Sequence, residues 1–134
     1  MTLLDFVSPS GQDEPTWQRV CRLDDLGAER GSVALLNGQQ VALFRLLDGE
    51  VYAVQQLDPY SGAYVMSRGI VGSRGDAPTV ASPMYKQVFD LRNGFCLDPM
   101  GKEPVHLQTW PVRVSDGDVL VGTGSMLLTV ESAA

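Results

Sequence analysis

Ser32-Val33-Ala34-Leu35-Leu36-Asn37-Gly38-Gln39-Gln40-Val41-Ala42-Leu43-Phe44-Arg45-Leu46-Leu47-Asp48-Gly49-Glu50-Val51-Tyr52-Ala53-Val54 is the stretch that decides the fold class. Three apolar runs, rich in residues that suit a pleated surface, are separated by Asn-Gly and Asp-Gly. Those dipeptides accept the positive φ angles of tight hairpin turns, so the three runs form an antiparallel meander.

Upstream, residues 17–22 alternate apolar and polar, the period of a half-buried strand. Leu23-Asp24-Asp25-Leu26 follows as a short connector stopped by Gly27 and Gly31. Downstream, Gln87-Val88-Phe89 and Phe95-Cys96-Leu97 flank a turn, and the apolar runs around Ser115-Asp116-Gly117 make a last hairpin. Between meander and hairpins, residues 57–85 hold Pro59, Gly62, Gly69, Gly72, Gly75, Pro78 and Pro83. So many breakers exclude a long helix or a central strand and leave a long structured loop of the kind that carries function. Many short strands without repeats make an all-β fold of antiparallel sheets, in one domain. Residues 1–15 read as a flexible N-terminal arm, 16–123 as the domain and 124–134 as a C-terminal tail.

Composition narrows the function. The 134 residues are 44% hydrophobic and 19% charged, and no apolar run approaches the roughly 18 residues that would suggest a membrane span. No basic segment marks the start for export, so a cytoplasmic protein is expected. A net charge of −6 disfavours nucleic acid as a partner. The acidic excess lies largely before residue 57, while Arg68, Arg74, Lys86, Arg92 and Lys102 bring the middle of the chain to balance. Any docking surface for an anion or acidic partner belongs there. Cys21 and Cys96 are too few for a disulfide framework, a zinc site or a CxxC pair and read as small buried strand residues. His106 has no carboxylate or thiol near it in sequence, Trp17 and Trp110 read as packing residues, and no dinucleotide fingerprint or phosphate loop is present.

The informative feature is a pair of loops, Asp58-Pro59-Tyr60-Ser61-Gly62-Ala63 and Ser82-Pro83-Met84-Tyr85-Lys86-Gln87-Val88-Phe89-Asp90-Leu91-Arg92-Asn93-Gly94. Their skeleton resembles Rieske domains, which carry C-P-H-x-G in one loop and C-P-x-H, then F-D-L and a glycine, in the other. The prolines, Gly62, Phe89-Asp90-Leu91 and Gly94 match. The metal ligands do not. A Rieske cluster takes two thiolates on one iron and two imidazoles on the other. Here Asp58 and Ser82 stand at the cysteine positions, and Tyr60 and Tyr85 at the histidine positions.

A retained skeleton without ligands, together with Ser67-Arg68-Gly69-Ile70-Val71-Gly72 and Ala81-Ser82-Pro83-Met84-Tyr85-Lys86-Gln87, resembles the small subunits of assimilatory NAD(P)H nitrite reductases. The resemblance implies a Rieske-like, ferredoxin-type fold without the cluster, no metal, catalytic residue or cofactor on this chain, and no turnover by the chain alone. It also implies a large-subunit partner that carries FAD, sirohaem, iron–sulfur and NAD(P)H chemistry and reduces nitrite to ammonium. The alternatives are a ferredoxin-like electron carrier with unexpected ligands and a free-standing binding or regulatory module. Asp58 and Ser82 are expected to cap their own loops through side-chain turns. Tyr60, Met84 and Tyr85 are the expected fillers where metal would crosslink the loops. Tyr60, Arg68, Arg74, Met84, Tyr85 and Lys86 are the expected partner-binding residues, because loops that keep their shape after losing their metal retain a recognition surface.

Overall fold

The computed structural model describes residues 15–124. The expected arm and tail therefore lie, apart from Pro15 and Gly124, outside the described residues. β1 (Pro15–Arg22) leads through a 3-10 turn at Leu23–Asp25 into the meander of β2 (Arg30–Leu36), β3 (Gln39–Arg45) and β4 (Val51–Gln55). Leu36 pairs with Gln39 across Asn37 (φ 51°) and Gly38 (φ 82°), the two-residue turn that the sequence predicts. The Asp48-Gly49 connection is longer than a tight turn. Arg45 pairs with Val51, and the Asp48 carboxylate accepts the Glu50 N–H at 2.9 Å to close the loop.

β5 (Ile70–Arg74), β6 (Ala77–Ala81), β7 (Val88–Asp90) and β8 (Cys96–Asp98) form a second antiparallel sheet in that order. This corrects the reading of residues 57–85 as free of central strands, since β6 is interior. Two details make it possible. Gly75 (φ 62°) and Asp76 turn the chain in two residues, with Arg74 opposite Ala77. Pro78 sits one residue before the β6–β7 ladder begins at Thr79, so its missing N–H falls beyond that ladder's end.

β9 (Thr109–Trp110) returns to the meander beside β4, and β10 (Val112–Ser115) and β11 (Asp118–Gly124) pair with β1 in the order β1-β11-β10. Pro111 marks the change of sheet. The meander sheet lies between the other two, and β3 shows it: Val41 and Leu43 enter one core with Val119, Val121 and Trp110, while Ala42 and Phe44 enter another with Val80, Phe89 and Met66. Full burial of a side chain such as Phe44 or Phe89 is worth roughly 1.5–3 kcal/mol, so the two cores hold the three sheets together. Gly31 allows the 3-10 turn Met66–Arg68 to lie against β2, because a β-carbon there would overlap the carbonyl of Ser67. Cys21 and Cys96 are on strands as expected, but half-buried rather than buried, and both are free thiols. Trp110 is buried and Trp17 lies under the guanidinium of Arg113 at 4.2 Å. Among the described residues no helix is long and apolar enough to cross a membrane.

Candidate functional site

The two loops meet at one end of the β5–β8 sheet, and the residues at the former cysteine positions meet each other. Ser82 Oγ donates to Asp58 Oδ2 at 2.6 Å, with both residues fully buried. Each also closes its own loop. Asp58 Oδ1 accepts the Tyr60 N–H at 2.9 Å, and Ser82 Oγ accepts the Met84 N–H at 3.1 Å, as the side-chain-turn reading expects. Main-chain bonds complete the first loop, from Gly62 N–H to Asp58 O and from Asp58 N–H to Ala63 O. In the second, Ser82 N–H donates to Gln87 O and Lys86 N–H to Ser82 O. A buried serine–carboxylate hydrogen bond therefore joins the loops where two thiolates on one iron would stand.

Tyr60 is half-buried against Phe89, with ring centroids 6.3 Å apart. Its hydroxyl donates to Glu103 O at 2.7 Å and accepts the Val105 N–H at 2.8 Å, tying the segment before β9 to the first loop. Cys96 Sγ lies 3.5 Å from the same hydroxyl. Burial, reinforced by the Cys96 contact, raises the phenol above its ordinary pKa and keeps it a neutral donor. Neither the Tyr60 tie nor Cys96 beside it was signalled by the sequence, because the partners are some forty residues away.

Tyr85 and Met84 do not fill the junction. They are 52% and 45% exposed, which corrects the expectation that they replace the metal crosslink. The second loop is closed by its own main-chain bonds, and these leave its tip facing solvent. Lys86 (φ 70°) is also exposed, while Gln87 is fully buried with no protein partner for its side-chain Oε1 or Nε2 among the described residues. Arg68 is exposed near the base of this loop, since the adjacent Gly69 packs on the carbonyl of Ala81. The Arg74 backbone stands at the other end of β5, and its guanidinium lies 3.7 Å from Asp98, the partner of Val88 in the β7–β8 ladder, in an exposed ion pair. His106 is exposed, stacks on Phe95 at 4.7 Å and accepts the Cys96 N–H through Nδ1, a structural role.

Phe89-Asp90-Leu91 survives for reasons of folding. Phe89 and Leu91 are core residues, and Asp90 anchors the following turn by accepting the Arg92 N–H at 2.8 Å and its guanidinium at 2.9 and 3.1 Å. The Arg92 side chain, opposed by burial, holds the Asp90 carboxyl below its ordinary pKa. A depressed folded-state value contributes stability above the unfolded value of about 4 and loses it as pH falls through the folded one. Asp90→Asn is accordingly expected to lower the thermal midpoint by a few degrees at neutral pH. The gap should close when melts are repeated well below pH 4, and an undiminished gap there would refute the linkage.

The donor set does not fit a [2Fe–2S] cluster. Asp58 and Ser82 offer hard oxygens already bonded to each other, the Tyr60 hydroxyl is committed to Glu103 and Val105, and Tyr85 is exposed.

Comparisons with known proteins identify the family of the fold. The model of the Rieske-like [2Fe-2S] domain family matches residues 16–122. The chain is 38% identical over 104 residues to the nitrite reductase (NADH) small subunit of Salmonella typhimurium, covering 77% of this chain and 94% of that protein. It is 41% identical over 129 residues to the nitrite reductase [NAD(P)H] large subunit of Klebsiella oxytoca, covering 92% of this chain but 13% of that much longer protein. A crystal structure of a candidate NADH-dependent nitrite reductase small subunit from Mycobacterium tuberculosis is 49% identical, with a TM-score of 0.73 over 81% of this chain and 95% of the other.

Proposed function

Because this chain belongs to the Rieske-like [2Fe-2S] domain family, among the nitrite reductase small subunits, we propose that it is the non-catalytic small subunit of an NAD(P)H-dependent nitrite reductase. It supports a large subunit in the reduction of nitrite to ammonium. The observation that carries this reading is the 2.6 Å hydrogen bond between Ser82 and Asp58. It gives the two-loop scaffold a crosslink of its own, in place of a redox centre, and so separates the shape of the tip from electron transfer. The Klebsiella protein adds support, since a segment similar to this chain is there part of the large polypeptide itself. FAD, sirohaem, iron–sulfur and NAD(P)H chemistry belong, in this reading, to the large subunit, and the pair works in the cytoplasm. The docking surface is the exposed tip of Met84, Tyr85 and Lys86, with Arg68 on its rim.

The test is to co-express the tagged chain with its large subunit, purify through the tag and assay NAD(P)H-dependent nitrite reduction. The complex is expected to be active and the isolated chain inactive. Absence of any association would overturn the reading. Metal analysis of the isolated chain is expected to return far less than stoichiometric iron. About two irons per chain would instead identify an electron carrier.

A further inference from the structure

Among the described residues, Gln87 is the group that its surroundings explain least. It lies between the Met84–Lys86 tip and β7, fully buried, and both polar atoms of its side chain lack a partner among the described residues. Buried polar groups are almost always satisfied, and an orphan of this kind destabilises the state that contains it. The residue before it, Lys86, adopts φ 70°, a left-handed conformation that side chains with a β-carbon rarely take. Two unfavourable features thus fall on consecutive residues of one short loop. That loop is closed by two main-chain bonds, Ser82 N–H to Gln87 O and Lys86 N–H to Ser82 O, and by the Met84 N–H on Ser82 Oγ. Its root is fixed separately by the Ser82–Asp58 bond, so the tip can lift without undoing the junction of the two loops.

We propose that the loop of residues 82–87 is a stressed lid that opens when the large subunit docks, and that Gln87 then bonds a main-chain segment of the partner. The inference rests on the docking reading above and deepens it. An amide side chain offers donor and acceptor side by side, which matches the N–H and C=O of an extended backbone and suits a peptide rather than an anion or a metal. Orphaning the amide in the free chain lowers the cost of lid opening, and bonding it in the complex gives the interface a specificity that Met84 and Tyr85 alone do not supply.

The experiment uses Gln87→Met, which keeps the shape and removes the amide, with Gln87→Leu as a second variant should Met fold poorly. Thermal midpoints are measured on the full-length chain, and affinity for the large subunit by titration. The expected result is a midpoint raised by roughly 5 °C together with affinity lowered roughly tenfold. A lowered midpoint for both variants would mean that the amide is satisfied in the free chain, and would overturn the proposal. A raised midpoint with wild-type affinity would overturn it too, leaving the docking reading intact provided that Tyr85→Ala weakens binding in the same assay. If Tyr85→Ala also binds like wild type, the docking reading itself fails, and this inference with it.

Discussion

Asp58→Ala is expected to destabilise the domain by roughly 3 kcal/mol, read as a shift of the urea midpoint at unchanged slope. The carboxylate is fully buried and accepts hydrogen bonds from the Ser82 hydroxyl at 2.6 Å and the Tyr60 N–H at 2.9 Å. Alanine leaves both donors without that acceptor, and the cost of orphaning buried groups exceeds the net worth of the bonds themselves. Asp58→Asn should recover much of the loss, since its carbonyl can still accept from Tyr60 while its amide donates to Ser82 Oγ. Ser82→Ala should cost less, because Asp58 then keeps its bond from Tyr60. If the junction replaces a metal crosslink, the two alanine substitutions must be strongly non-additive. Strict additivity in the double variant would show that the loops are held independently.

The meander was legible because its code is local: Asn37-Gly38 sits between two apolar runs of strand length, of which β3 faces both cores while Val33 and Leu35 of β2 are exposed. The β5–β8 sheet was half legible. Short strands give weak periodicity, and Pro78 and the run of glycines read as loop, although the two-residue Gly75-Asp76 turn was the signal that could have found the hairpin. At the site, the side-chain turns of Asp58 and Ser82 were readable as local geometry, but their bond to each other joins positions 24 residues apart. The directions of Tyr60 and Tyr85 could not be separated by residue type. One tyrosine is held inward by acceptor and donor groups at Glu103 and Val105, and the other is half exposed to solvent. Gln87 gave no signal, because a buried amide without a partner among the described residues is defined by what the fold fails to place around it.

The outward tip turns the expectation for Tyr85 around. Truncating a buried tyrosine would destabilise the fold, whereas Tyr85 and Met84, about half exposed, should be removable with little change in the thermal midpoint. Their effect should appear in association instead. Tyrosine is enriched among residues that dominate binding energy, and methionine adapts its shape to a partner's surface. The double variant Met84→Ala and Tyr85→Ala is therefore expected to weaken binding to the large subunit by about 10- to 100-fold, mostly through faster dissociation. Arg68→Glu with Lys86→Glu should act differently, slowing association in a salt-dependent way, because exposed rim charges steer encounter more than they hold the complex. Arg74→Glu serves as the internal control. The Arg74 backbone lies at the opposite end of β5 and its guanidinium already faces Asp98, so its reversal should change binding little. Circular dichroism confirms folding in each case, and surface-immobilised large subunit gives both rate constants. If the tip variant binds like wild type while Arg74→Glu does not, the interface lies around the β5–β6 hairpin, and the ligand-less loops keep their shape for the sake of the fold alone.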